Sequence, residues 1–400
     1  MSDTSIIEST EAPARRDTIK YGGAVVGGGL LAGCAGQSDS RSTPTRTNAG
    51  GESYSVTMKP HGATTFSAVP ETYASRSTTW TEIGFLLTGE EPVAMEEPGR
   101  YPSYFYDPLP GVEFDTSQPL NIASEDSGWE KEVFYEADPD VSLIDPNVAR
   151  HYGKWEDDDI EEIETNVSPF AGSFARRPFP EYDEGYPFYS LYECLEKGAE
   201  VFNVKQERFE PLDTIYDDLI ARIQSNIPDE PPTIGYLNGI PSDDIYYIWK
   251  PGLPGVQGGV QRTFGFDDAF SGTYPSAENF YETDIETLLE TDPDTILIKS
   301  GVTVADILGY DSFPDYVDAL FEGEVGSEFT AVEEGRVYAG GPLVYGPVQS
   351  LFTHEIVAKQ FYPEQFGEFS YETPASLNDI PEDEHLFDRQ RVADIINGDI

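Results

Sequence analysis

From about residue 53 onward, short apolar runs alternate with longer stretches in which apolar residues recur every three or four positions. The short runs predict strands at Tyr54–Met58, Thr64–Val69, Val93–Met95, Val141–Ile144, Ile163–Val167, Thr233–Leu237, Ile245–Trp249, Thr295–Ile298 and Arg336–Ala339. Many gaps between them can hold a helix crossover, so the pattern predicts an α/β architecture. Trp80–Leu87 has helical spacing and ends near Gly89, and Gly, Pro and Asp mark most turns. The longest stripe joins Phe209, Leu212, Tyr216, Leu219, Ile220, Ile223 and Ile227, with Glu210, Asp213, Asp217, Asp218 and Arg222 on the other face. It predicts one long helix over 209–227, with Pro211 tolerated in the first turn and Pro228, Pro231 and Pro232 as its stop.

One phrase occurs twice. Glu132 stands seven residues before Pro139-Asp140, Glu136 three before it, and an apolar run follows. Glu286 and Glu290 stand in the same places before Pro293-Asp294, again followed by an apolar run. In each copy the Pro-Asp ends a helix and turns the chain into a strand. A spacing of 154 residues is too long for a solenoid and suits two similar lobes. With the long helix between the copies, the expected fold is α/β: two lobes, each with a central mostly parallel sheet flanked by helices, joined by one long helix.

The length of 400 residues suits such a pair of lobes. A net charge of −50 repels phosphate, which excludes nucleic acid as a partner and disfavours an anionic membrane surface. The chain is nevertheless 38% hydrophobic and 13% aromatic, which argues for a packed core and against an acidic disordered tail. Such acidity resembles proteins of salt-loving organisms, where salt screens the self-repulsion.

The first 33 residues read as an export signal. Arg15 and Arg16 precede a weakly apolar, glycine-containing run from Tyr21 to Ala32, too short to span a bilayer. This resembles a twin-arginine signal. Leu31-Ala32-Gly33-Cys34 resembles a lipobox, so the mature chain is expected to begin at Cys34, lipid-anchored on the extracellular face of the cytoplasmic membrane. Residues 34–52 read as the lipidated cysteine and a flexible Ser/Thr/Gly-rich tether. Cys194 is then left without an intrachain disulfide partner.

Catalytic and metal signals are missing. His61, His151, His354 and His385 share no short ligand spacing, so neither a metal nor a cofactor is expected. His354 lies on a helical pattern with Leu351 and Phe352 and reads as structural. No P-loop, Rossmann glycine set or Gly-x-Ser-x-Gly is present. Glu156-Asp157-Asp158-Asp159 reads as a solvated helix start.

The ordered set of features resembles the substrate-binding proteins of ABC importers that capture ferric siderophores, haem and cobalamin. It comprises the lipoprotein start, Val69-Pro70-Glu71-Thr72, Asp138-Pro139-Asp140-Val141, the connecting helix, Thr291-Asp292-Pro293-Asp294, and Val332-Glu333-Glu334-Gly335-Arg336-Val337-Tyr338 before a Gly-Pro loop and a last helix. The resemblance runs from about Ser53 to Glu372. It implies an N-terminal lobe over 53–205, a connecting helix over 206–228, a C-terminal lobe over 229–373 and a helical extension over 374–400. It also implies a monomer that does no covalent chemistry and works with an ABC permease and its ATPase subunits, the latter in keeping with the missing P-loop. By the same resemblance, Glu132 and Glu286 would meet arginines of the permease.

Ligands of open α/β sheets bind beyond the carboxyl ends of strands. That rule selects loops carrying Arg100, Tyr101, Tyr104, Asn147, Phe170, Arg176, Arg177, Trp249, Lys250 and Tyr345, as well as Ser300-Gly301. Cations are scarce in this chain, so Arg100, Arg176, Arg177 and Lys250 are candidates to pair with an anionic ligand such as a carboxylate- or catecholate-bearing iron chelate. The aromatics would supply flat apolar surface with a polar edge. The plainer alternative is that these cations offset acidic clusters and the aromatics pack in the core. The expected function is capture of a ferric siderophore or related chelate, with cobalamin or haem as the alternative cargo. A different class, an exported acidic glycan hydrolase working through two carboxylates, and a surface lipoprotein without a ligand are the remaining readings.

Overall fold

The computed structural model describes residues 53–399, except 125–127, 179–185, 187, 275–278 and 343–344. Cys34, Arg15 and Arg16 lie outside the described residues. An antiparallel hairpin opens the chain, β1 (Tyr54–Met58) with β2 (Gly62–Phe66). β3 (Tyr73–Ser75), α1 (Thr78–Thr88), β4 (Ala94–Met95) and β5 (Leu120–Asn121) follow, then the short pair β6 (Ala123–Ser124) and β7 (Gly128–Trp129). α2 (Lys131–Ala137), β8 (Val141–Leu143), α3 (Pro146–His151), α4 (Asp157–Asn166) and α5 (Leu191–Val201) complete the first lobe. Its sheet has the order β5-β4-β3-β8 and every pairing is parallel. β3 and β8 are buried at every position, as sheets covered on both faces require.

α6 (Glu210–Gln224) carries the chain onward, with Pro211 in its first turn and Leu212, Ile215, Leu219 and Ile223 buried. The second lobe contains β9 (Thr233–Ile240), β10 (Ile245–Trp249), α7 (Gly259–Phe264), β11 (Asp267–Asp268), β12 (Phe280–Thr283), α8 (Ile285–Thr291) and β13 (Ile296–Ile298). It continues through α9 (Gly301–Leu308), α10 (Phe313–Leu320), α11 (Thr330–Glu333), β14 (Val337–Ala339), α12 (Pro347–Phe361), α13 (Pro363–Phe366) and α14 (Arg389–Asn397). Its sheet runs β12-β10-β9-β13-β14. Parallel pairing holds for β9-β13-β14, but β10 is antiparallel to both β9 and β12. The second sheet is therefore mixed, because β9 and β10 form a hairpin with no room for a crossover helix.

Two quoted motifs bond each other. Asp140 Oδ2 accepts from the Glu71 and Thr72 amides at 2.9 and 3.0 Å and from the Thr72 hydroxyl at 3.1 Å, pinning β8 beside the start of β3. In the second lobe Asp292 accepts from the Thr330 amide and hydroxyl at 2.9 and 2.7 Å.

The strand expected at Ile163–Val167 is instead the end of α4. Glu156 and Asp159 close a capping box at its start, and Ile160 and Ile163 bury one face three residues apart. Sheet pairing begins a few residues later, where Phe170 bridges Ser142 in parallel. α12 is the second departure. It is buried over nearly its whole length, and it packs on α1 and α5 of the first lobe as well as on α7 and β14 of the second. The lobes are thus joined by more than α6.

Candidate ligand cleft

The segment Ser173–Arg177, which leaves the first lobe's sheet, lies directly against residues 255–257 of the second. The Val256 and Gln257 amides donate to the Ala175 and Arg176 carbonyls, each at 2.9 Å, and Arg176 Nε donates to Gln257 Oε1 at 3.2 Å. Arg176 and Arg177 are 5% and 1% exposed. Burial lowers the Arg176 pKa to about 10, which leaves it charged at neutral pH.

Trp249 stands beside them. Its ring stacks on Phe280 with centroids 4.4 Å apart, and its Nε1 donates to Asn238 Oδ1 at 2.6 Å. The Arg177 guanidinium lies 5.9 Å from the indole centroid and 5.8 Å from that of Phe280. Lys299, directly after β13, places Nζ 3.7 Å from the same indole. On the first-lobe side Arg76 Nε pairs with Glu96 Oε2 at 2.6 Å, and its guanidinium lies 4.1 Å over the Tyr152 ring. A cavity of about 20 Å³, room for one water, adjoins Arg76, Trp80, Asp145, Ser173, Phe174 and Arg176.

Of the residues selected from sequence, the structure gathers Arg176, Arg177 and Trp249. Lys250 follows Trp249 and lies 5.1 Å from the Tyr274 ring centroid. Tyr345 is buried nearby, donating to the Val256 carbonyl at 2.7 Å and accepting from the Val260 amide at 3.3 Å. Others sit elsewhere. Phe170 is fully buried in the first lobe's core cluster with Trp155 and Ile163. Asn147 opens α3, where its side-chain carbonyl accepts from Arg150. Arg100 pairs with Glu97 three residues earlier at 2.9 Å. Tyr101 is buried with its hydroxyl 2.7 Å from that of Tyr106, and Tyr104 donates to the Val302 carbonyl of the second lobe at 2.8 Å. Tyr104 thus belongs to a lobe–lobe contact.

The strand-end rule missed Lys299, Arg76, Gln257 and Phe280. Lys299 has a legible signal, a rare cation directly after a fully buried strand. The rule also does not hold for β10, which runs antiparallel to β9; Trp249 joins the cluster through its side chain.

A second feature fixes the lobes. Glu82 of α1 is fully buried, and its carboxylate accepts from the Val348 amide in the first turn of α12 at 2.7 Å and from the Tyr106 hydroxyl at 3.0 Å. A Cβ at Gly346 would lie 2.2 Å from Glu82 Oε2, so this approach requires glycine. Burial raises the Glu82 pKa to about 8 against the pull of those hydrogen bonds. His354 is likewise buried, on α12, and its pKa is lowered to about 4, in keeping with a packed core histidine. Glu132 and Glu286 are exposed in the first turns of α2 and α8.

No protein-family profile matches the chain, and no curated protein matches its sequence. Solved structures match its fold. CeuE of Helicobacter pylori, in a nickel–histidine complex, is 14% identical with a TM-score of 0.54, covering 86% of this chain and 98% of its own. A variant of the haem-binding protein HmuT is 12% identical with a TM-score of 0.54, covering 80% and 89%. SirA of Staphylococcus aureus, complexed with staphyloferrin B, is 14% identical with a TM-score of 0.52, covering 77% and 98%. The chain has the two-lobe α/β fold of periplasmic binding proteins. No described helix is long and apolar enough to cross a membrane.

Proposed function

We propose that the protein is the extracytoplasmic substrate-binding component of an ABC importer, lipid-anchored through Cys34, and that it captures an anionic iron chelate of the ferric siderophore class between its lobes. The observation that carries this reading is the placing of Arg177 and Lys299 at the Trp249 indole, with Arg176 close enough to act on Lys299. Lys299 is buried against that indole with no ion pair among the described residues, a costly placing unless an anion joins it. Aromatic surface beside buried cations suits a chelate with carboxylate or catecholate arms. The fold supports the reading, since solved relatives in fold include a haem-binding protein and a staphyloferrin B complex. A haem, whose two carboxylates would meet the same cations, is the second reading, favoured by the likeness to HmuT.

The reading is tested by purifying the protein from its source in high salt and analysing it by absorbance and mass spectrometry, followed by titration with ferric chelates and haem. A co-purified chelate, or saturable quenching of tryptophan fluorescence, is the expected result. Turnover of a glycan without any effect of these ligands overturns it in favour of the hydrolase.

A further inference from the structure

We propose that Lys299 is the seat of an anionic oxygen of the cleft ligand, and that the site takes up a proton from solvent as that oxygen arrives. This deepens the preceding reading and rests on the cleft being a ligand site.

Lys299 is 3% exposed. Its backbone is locked: its amide donates to the Leu237 carbonyl at 2.8 Å, and Ser300 turns into α9 in the left-handed region. A Cβ on Gly301, two residues further on, would come within 2.7 Å of the Ala339 Cα. The main chain carrying the amine is therefore held against β14. The indole under Nζ is fixed by its own bond to Asn238 and its stack on Phe280.

The described residues give Lys299 no ion pair. The same protein shows how it treats other buried cations. Lys359, fully buried, has Glu384 at 3.2 Å and the Phe366 carbonyl, and Arg389 has Glu355 at 2.9 Å. With 74 acidic residues available, a buried lysine set against an aromatic ring in place of a carboxylate is a departure from that practice. Among the described residues, the charged groups acting on Lys299 are Arg176 and Arg177, both of like sign. From β10 it meets Trp249, and from β9 the nearby groups are neutral, Asn238 bonded to the indole and Tyr236. Burial first, then the two guanidiniums, lowers its pKa well below the lysine range.

Burial, the two like charges and the missing ion pair among the described residues therefore favour the neutral amine. An incoming oxyanion reverses the balance: amine, proton and anion become an ammonium–oxyanion pair, with no covalent bond made or broken between ligand and protein. Lys299 supplies the charge that appears with the ligand. Affinity should then fall about tenfold per pH unit above the pKa of the empty site.

The test uses the full chain with lysine Cε carbon-13 labelled, and K299M and K299R to assign one resonance among nine lysines. The probes are ferric citrate, citrate and inorganic phosphate. Lys299 should titrate below the other lysines, and a bound probe should raise its midpoint. Calorimetry in buffers of different ionisation enthalpy should show uptake of about one proton, absent in K299M and K299R. K299M should bind weakly and without pH dependence. A Lys299 midpoint among the other lysines overturns the proposal, as does a low midpoint that a bound probe leaves unmoved. If ferric citrate does not bind, the chelate reading is weakened separately. Citrate and phosphate then decide the lysine's role: a raised midpoint with either supports it, and no change with both refutes it.

Discussion

Asp138 and Asp292, 154 residues apart, end their helices in the same way. Each sits in the left-handed region, with φ of 45° and 40°, and each donates its amide to the carbonyl four residues earlier, at 3.0 and 3.1 Å. α2 and α8 have seven residues each, and a Pro-Asp leads from each into a buried strand. The doubled phrase is thus one helix stop built twice. Aspartate tolerates this backbone better than larger residues, and the proline after it cannot continue the helix.

The second stop carries a side-chain tie, and this yields a prediction. Asp292 itself accepts both bonds from Thr330. Asp292→Ala should cost about 1–3 kcal/mol, from two lost hydrogen bonds and a left-handed backbone without a polar side chain. Asp292→Asn, which keeps an acceptor, should cost less. Denaturant unfolding of the two variants measures the difference, and equal losses would assign the effect to the carboxylate's charge and not to the backbone or the retained acceptor.

Glu82 should make stability pH-dependent. Its native pKa of about 8 lies above the ordinary 4.5, so the folded state holds the proton more tightly than the unfolded chain. The stabilisation is full below about 4.5 and is lost as pH rises through about 8. Over that window the loss is on the order of 5 kcal/mol. Glu82→Gln keeps an acceptor for the Val348 amide and removes the titration. The stability difference between wild type and this variant should change across that window, as measured by unfolding at a series of pH values. A constant difference would show that Glu82 is ionised throughout.

The lobes and the connector were legible in the sequence because each rests on a repeated or periodic pattern. The α6 stripe and the Pro-Asp stops are of this kind. The expected helix over 209–227 and the observed Glu210–Gln224 differ only at fraying ends. The error at Ile163–Val167 came from reading a short apolar run without the helix phase set by Glu156 and Asp159. β5, β6 and β7 are two residues long and carry no period at all. The cleft was less legible because its residues contradict the rule that charge stays outside. Arg177 and Lys299 are buried, and that follows from the meeting of two lobes, not from any local pattern. Phe170 erred the other way, a core residue in a loop position.

The segment after residue 373 should be needed for stability. Glu355 of α12 is fully buried, accepting from the Leu386 amide at 2.6 Å and from Arg389 at 2.9 Å. Glu355→Ala leaves the Arg389 guanidinium buried without its carboxylate and should cost about 3–5 kcal/mol. Replacing both, as Glu355→Met with Arg389→Met, should cost less than the single change. A double-mutant cycle in denaturant reads this, and a double variant worse than either single would show that the pair is not the main source of the loss.

Glu132 and Glu286 occupy the second position of α2 and α8, the two helices that end in matching stops. Both side chains are exposed. Equivalent carboxylates on the two lobes could fix the register of a partner that presents two cationic patches, and such rim charges govern docking more than affinity for a cargo. Charge reversal of both, Glu132→Lys with Glu286→Lys, should abolish uptake in cells while leaving cleft binding of a ferric chelate unchanged. Each single reversal should give a partial loss. Transport assays and fluorescence titration of the same variants separate the outcomes: a double variant that loses chelate affinity would place these residues at the cleft, and one that transports normally would make them solvated surface carboxylates like most others in this chain.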